Sequence, residues 1–347
     1  MSNLKQYSIA LLGCGRISEK HLESITTLSD NFKLTGVCDI VTDLASSAGE
    51  KYGANWYTDF EEMLTVEKPE IVSICTPSGL HPDHGILAAE HKCHVITEKP
   101  IGTSIAKVDE LINSCDQNRV RLFVVKQNRL NATMLLLKKA VEKKRFGKIY
   151  FIHSNVFWTR PQKYYDVAKW RGTWEFDGGA FMNQASHYVD ALQWLIGPVD
   201  SVMAQTATMA RTIETEDTGA AILKFRNGTI GSLNVTMLTY PKNLEGSITI
   251  LGEKGTVKIG GTAINKIEKW EFEEYDDDDS FLKDADYNPP DIYGFGHLPY
   301  YRNIFDSLEG NSEANTDGRS GRKSLELVLA IYQSAQTGMR VPLPLKI

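Results

Sequence analysis

Tyr7-Ser8-Ile9-Ala10-Leu11-Leu12-Gly13-Cys14-Gly15-Arg16-Ile17-Ser18 reads as a buried strand, a tight glycine turn and the opening of a helix. Gly13 permits the turn and Gly15 lets the backbone approach a pyrophosphate. Ser18 is small enough for close helix–strand packing where a third glycine usually stands. Amides at the helix start would face the phosphates. The next apolar strand, residues 33–38, ends in Asp39, 21 residues beyond Ser18. A carboxylate there accepts both ribose hydroxyls of NAD and repels the 2′-phosphate of NADP. The spacing predicts a dinucleotide fold with NAD as cofactor.

A second strand–helix–strand unit follows. Residues 70–75 form an apolar strand, broken by Thr76-Pro77-Ser78-Gly79-Leu80-His81, a loop whose backbone would line the nicotinamide side. Residues 84–92 read as a helix and His94–Thr97 as the strand that delivers Glu98-Lys99-Pro100. Pro100 biases Lys99 toward extended backbone. A lysine at the carboxyl end of a parallel strand points into the crevice where such sheets bind ligands. A further helix (105–118) and strand (121–126) complete a first domain, residues 1–126, and a linking helix over 134–144 begins a second, 127–347.

The second half changes character. Long alternating strands at 148–158, 200–209, 219–225, 229–239, 247–251, 256–259 and 267–274 follow one another with few helices, and Asn227-Gly228 is a hairpin signal between two of them. An open, mainly antiparallel sheet is predicted, closed by helices at 298–308 and 324–337. The acidic run 273–279 reads as a solvated loop. Gly178-Gly179 precedes a predicted helix on which Asn183, His187 and Asp190 share one face. His187 there suits a general base for an alcohol, or a core histidine capped by Asn183.

The composition limits the alternatives. A formal charge of −6 gives no reason to expect nucleic acid or an acidic membrane surface as partner. No apolar run approaches the ~18–20 residues needed to span a bilayer, and Met1–Lys5 shows no export signal, so a cytoplasmic protein is expected. The five cysteines, Cys14, Cys38, Cys75, Cys93 and Cys115, contain no CxxC pair, and neither they nor His81, His84, His91 and His94 form a metal-ligand pattern. No metal is expected.

Over essentially its whole length the chain resembles the Gfo/Idh/MocA family of sugar oxidoreductases. The resemblance rests on the Gly13–Ser18 turn, Thr76–His81, Glu98-Lys99-Pro100 and the Gly-Gly…His187 segment. It implies an N-terminal Rossmann domain and a C-terminal α+β domain whose open sheet builds dimers or tetramers, hence a homo-oligomer. It also implies that Lys99 and His187 flank the reacting carbinol. The commonest family pattern has Asp and Gly where Asn183 and Ala185 stand, which puts an acid's part in the proton relay in doubt here. The segments Asn183–Tyr188, Leu244–Gly252 and Gly296–Tyr301 are similar to one branch, the UDP-N-acetylglucosaminuronate 3-dehydrogenases of bacterial surface-polysaccharide synthesis.

On this reading Lys99 and His187 are the catalytic residues, with their roles interchangeable as base and alkoxide stabiliser. Gly13, Gly15, Arg16, Ile17, Asp39, Thr76, Pro77, Ser78, His81, Glu98, Lys99 and Gln127 are assigned to the cofactor. Lys99, Arg129, Trp158, Arg160, Lys163, Tyr164, Asn183, Ser186, His187 and His297 are assigned to a UDP-linked uronic acid. Arg160 and Lys163 would meet diphosphate or carboxylate, while Trp158, Tyr164 and Tyr165 would wall a sugar or uracil. The same stretch also reads as a basic-aromatic surface loop. A dehydrogenase of free sugars or inositols, an NAD-binding sensor without turnover, and hydrolysis using bound NAD are the competing functions.

Overall fold

The computed structural model describes residues 5–261, 264–288 and 294–346. Residues 1–4, part of the opening in which no export signal was read, lie outside them. The described chain divides into two compact units that are not contiguous in sequence: Met1–Lys126 with His297–Arg322, and Gln127–Gly296 with Lys323–Ile347.

In the first unit, six parallel strands alternate with helices. They run β1 (Tyr7–Leu12), α1 (Ser18–Thr27), β2 (Phe32–Cys38), α2 (Thr42–Tyr52), β3 (Asn55–Tyr57), α3 (Phe60–Glu67), β4 (Ile71–Ile74), α4 (His81–Glu90), β5 (His94–Thr97), α5 (Ile105–Asn118) and β6 (Leu122–Val124). The sheet order is β3-β2-β1-β4-β5-β6, the doubly wound order in which the chain reverses direction between β1 and β4. The central strands are mostly apolar because helices cover both faces: Ile9, Ala10, Leu11, Ile71, Val72, Val95 and Ile96 are fully buried. The predicted helix at 84–92 starts earlier, at His81, because Pro82 at its start pre-sets the backbone.

The second unit holds α6 (Ala132–Glu142), β7 (Ile149–Phe157), α7 (Gln162–Asp166), α8 (Ser186–Ile196), β8 (Val199–Ala207), β9 (Thr218–Phe225), β10 (Ile230–Thr236), β11 (Glu245–Gly252), β12 (Gly255–Gly260), β13 (Lys266–Phe272) and α9 (Leu282–Ala285). With the short terminal β14 (Val341–Pro342), its sheet runs β13-β12-β11-β7-β10-β9-β8-β14. Every pairing is antiparallel except β7 with β10, as the helix-poor sequence predicts. Asn227-Gly228 makes the β9–β10 turn, with Gly228 at φ +90°. Along β7 and β10 every second residue is buried (Ile152, Ser154 and Val156; Leu233 and Val235), leaving the other face of the sheet partly open.

Three local expectations change. The helix at 297–308, here α10 (His297–Leu308), belongs to the first unit although it lies far along the chain. Tyr300 donates to the Val124 carbonyl (2.6 Å), and Tyr7 donates to Glu309 (2.8 Å) just beyond the helix. The last long helix, α11 (Gly318–Thr337), starts at 318 rather than 324. The acidic run is not a free loop. Asp276 caps a 3₁₀ turn over Asp277–Phe281. Lys143 binds Asp276 and Asp278 at 2.6 and 2.8 Å, and Arg145 clamps Asp279 with two bonds of 2.6 and 2.8 Å. Cations just past the end of α6 thus neutralise carboxylates that would otherwise repel one another. None of the described helices is long and apolar enough to cross a membrane.

Candidate active site

The glycine turn is built as its sequence requires. Gly13 has φ +93°, and a Cβ there would stand 2.8 Å from the Cys75 carbonyl carbon, so only glycine fits. A Cβ on Gly15 would meet nothing within 4 Å, which leaves its backbone open on one flank. Ser18, buried at the start of α1, donates its hydroxyl to the Gly15 carbonyl at 2.6 Å. Arg16 is exposed and Ile17 half-buried where the helix opens without a side-chain cap. At the end of β2, Asp39 accepts the Cys14 amide on Oδ2 (2.8 Å) and the Val41 amide on Oδ1 (2.9 Å). An open glycine backbone, helix-start amides and a fixed strand-end carboxylate form a donor and acceptor set that fits NAD.

Two loops lie at the ends of β4 and β5. Thr76 and Pro77 lead into a single 3₁₀ turn, Ser78–Leu80, and then α4. The buried His81 ring spans both loops, with Nδ1 2.7 Å from the Pro100 carbonyl and Nε2 2.8 Å from the Thr76 carbonyl. Burial lowers its pKa against the pull of those two carbonyls, so the neutral ring donates to one of them. His84 contacts the Thr76 hydroxyl at 3.0 Å, and burial lowers its pKa to about 4.

Glu98, only 5% exposed, is the anchor of the lysine turn. Its Oε2 accepts the Lys99 amide (3.0 Å), and its Oε1 accepts from His21 Nε2 (3.0 Å), with His297 Nε2 at 3.6 Å. His21 Nδ1 reaches the Tyr301 hydroxyl (2.8 Å) and Ser73 (3.0 Å). Burial alone would raise the Glu98 pKa, yet contacts from His21 and His297 and the charge of Lys99 leave it well below the usual range. Glu98, assigned above to the cofactor, therefore sits under the turn, and His297, assigned to the substrate, is buried in the same knot. Lys99 itself is half-buried. His21, Ser73 and Tyr301 are not evident in the sequence; the fold brings His21 to Glu98, and Ser73 and Tyr301 to His21.

The second unit supplies the other assigned residues. Gln127 is buried, and Gly296 packs so closely that a Cβ there would stand 2.3 Å from the Gln127 carbonyl oxygen. Arg129 forms a two-pronged ion pair with the buried Asp190 (2.7 and 2.8 Å), which also accepts from Ser324 at 2.8 Å. Arg160 donates to Gln184 Oε1 (3.0 Å) and lies 5.1 and 5.3 Å from the rings of Trp158 and Tyr164. Arg171 stacks on Tyr164 at 4.3 Å. Lys163 is exposed on α7, whereas Tyr165 is buried. The 158–165 stretch is thus a cation–π cluster tied to Gln184, with Lys163 as its exposed charge.

The segment before His187 differs from the single helix expected. Ala180–Gln184 is one turn of π-helix, closed by the Ala185 amide donating to the Ala180 carbonyl (2.9 Å). Only then does α8 begin, at Ser186. Asn183 lies in the π turn, ahead of α8. Its side-chain amide donates to Asp177, and its carbonyl accepts from the buried Ser186 hydroxyl at 3.2 Å. His187 is half-buried in the first turn of α8.

The first unit thus has the architecture of an NAD-binding oxidoreductase domain, with a lysine at a strand end. Residues 7–126 match the NAD-binding Rossmann fold of the Gfo/Idh/MocA oxidoreductase family, and residues 138–343 match its C-terminal alpha/beta domain. The chain belongs to that family. The WlbA dehydrogenase from Bordetella pertussis, solved in complex with NADH and UDP-GlcNAcA, is 53% identical, with 99% of each chain covered and a TM-score of 0.96. The WlbA dehydrogenase from Chromobacterium violaceum, also with NADH and UDP-GlcNAcA, is 54% identical over 99% of this chain and 97% of that one, with a TM-score of 0.94. A D-glucoside 3-dehydrogenase of Escherichia coli is 25% identical over 96% of this chain and 97% of its own. The protein is an NAD-dependent oxidoreductase.

Proposed function

We propose that the protein oxidises the C3 hydroxyl of a UDP-linked N-acetylhexosaminuronate to the 3-keto sugar. The observation that carries this is the 53–54% identity, across 99% of the chain, to dehydrogenases solved with NADH and UDP-GlcNAcA. Bound NAD supplies the hydride acceptor. His187 takes the hydroxyl proton and Lys99 offsets the charge developing on the alkoxide, or the two exchange these roles. Arg160 and Lys163 meet the diphosphate or the uronate carboxylate, and Trp158 and Tyr164 wall the sugar or uracil. Arg129, already paired with Asp190, contributes by holding the start of the second unit to α8. A place in surface-polysaccharide synthesis, a cytoplasmic location and a homo-oligomer built on the open sheet belong to the same proposal.

A panel of UDP-sugars assayed for NADH formation tests it. The uronate should far exceed the neutral UDP-N-acetylhexosamine, and UDP should compete with it. Efficient oxidation of a free sugar with no inhibition by UDP would instead support a free-sugar or inositol dehydrogenase.

A further inference from the structure

The turn that precedes His187 rests on one buried carboxyl. Glu216, just ahead of β9, is 3% exposed, and its Oε1 accepts the Phe181 amide and the Tyr332 hydroxyl, both at 2.9 Å. That hydroxyl in turn accepts the amides of Gly179 (3.2 Å) and Met182 (3.1 Å). Three amides of the glycine pair and π turn are therefore satisfied by Glu216 directly or through Tyr332. The fit is close: a Cβ at Gly179 would stand 1.5 Å from Glu216 Oε2. This Oε2 is buried and has no hydrogen-bond partner among the described residues. π turns are rare and occur mostly as single turns within helices, frequently at functional sites. Here the amides are held by one side chain just ahead of β9 and one on α11.

We propose that Glu216 is a positioning residue for the dehydrogenase reaction, its carboxyl seating, with Tyr332, the π turn that presents Asn183 and starts the helix of His187. This rests on the assignment of His187 to proton transfer. The partnerless Oε2 makes the seat sensitive to ionisation, because a charge there is buried without compensation. Burial pushes the Glu216 pKa up to about 7, and the nearby Asp177 adds to this against the pull of the Phe181 amide and the Tyr332 hydroxyl. Asp177 and Tyr332 are the titratable groups that face it. The neutral carboxyl fits the turn, and its ionisation near neutrality loosens residues 178–184.

The test compares the full-length wild type, Glu216→Gln and Tyr332→Phe, measuring kcat and amide hydrogen exchange of residues 179–185 on both sides of pH 7. Glutamine keeps the neutral shape, so E216Q should hold its amide protection above pH 7 where the wild type loses it. Misplacing an acid–base group by an ångström costs up to about 100-fold in rate, so the ratio of E216Q to wild-type kcat should climb severalfold as pH rises. Tyr332→Phe removes the acceptor of the Gly179 and Met182 amides, which should lose protection at every pH, and a donor that favours the charged carboxyl, so the pH at which the Phe181 amide loses protection should rise. E216Q-to-wild-type ratios of protection and of kcat that stay constant with pH, or an unshifted midpoint of the Phe181 amide in Y332F, would overturn the proposal. If E216Q fails to fold, the Y332F shift decides alone. Normal turnover in His187→Ala with these exchange shifts intact would instead remove His187 from catalysis and leave the seat standing.

Discussion

The Asp39 carboxylate accepts the Cys14 amide at 2.8 Å, tying the end of β2 to the middle of the glycine turn. A second bond, from the Val41 amide at 2.9 Å, fixes the other oxygen. Both carboxylate oxygens are therefore fixed, and in the proposed cofactor site this acid faces the ribose 2′ position. NAD should bind more tightly than NADP. Asp39→Asn keeps an acceptor for only one of the two amides and removes the charge, so it should narrow that preference. Titration of both cofactors into both proteins checks this; tighter binding of NADP by the wild type would displace Asp39 from the ribose.

Lys99→Ala and His187→Ala should each lower turnover by ~10²–10⁴, the usual worth of an acid–base group. Cofactor affinity should change little in the His187 variant, because that residue lies neither in the glycine turn nor at the end of β2, and in the Lys99 variant it should fall far less than turnover. Steady-state kinetics alongside NAD titration separate the two effects. Near-normal turnover in the His187 variant would make it a structural histidine.

Arg129 and Asp190 should behave as a buried pair. Removing one partner strands the other charge, which typically costs about 3–5 kcal/mol. Both Arg129→Ala and Asp190→Ala should therefore shift the denaturant midpoint strongly downward. Arg129→Lys should recover little of the loss, since an ammonium cannot reproduce the two-pronged contact. A midpoint unchanged in Asp190→Ala would contradict the assignment.

Two buried groups should push stability in opposite directions across nearly the same pH range. His84 has its pKa lowered from 6.5 to about 4 in the folded protein, so the unfolded chain gains its proton first and stability is lost as pH drops from 6.5 to 4. Glu216 has the opposite sign. Its folded pKa is raised from 4.5 to about 7, so its contribution is complete below 4.5 and is lost as pH rises through 7. Denaturation curves across pH should show the acid loss reduced in His84→Gln and the loss toward pH 7 reduced in Glu216→Gln.

The parts legible in the sequence are those fixed by local chemistry. Gly13, Gly15 and Asp39 act through backbone freedom and strand-end placement, both readable from spacing. The Asn227-Gly228 turn and the alternation along β7 were visible for the same reason. What escaped depends on distant partners. Nothing in the sequence near Glu98 points to His21 or to His297, which reaches it because α10 packs into the first unit. The π turn hides within a helix-like pattern, since it needs Glu216 and Tyr332 to hold it. The acidic run 273–279 looked solvated because its neutralising cations, Lys143 and Arg145, lie more than a hundred residues earlier.

The central claim is hydride removal from C3 of a UDP-linked uronic acid. The most direct measurement incubates the protein with NAD and UDP-N-acetylglucosaminuronate carrying deuterium at C3, and follows the label by mass spectrometry. The account predicts deuterated NADH together with a sugar nucleotide that has lost the label. No transfer from this substrate, with ready transfer from an unlinked sugar or inositol bearing the same label, would contradict it.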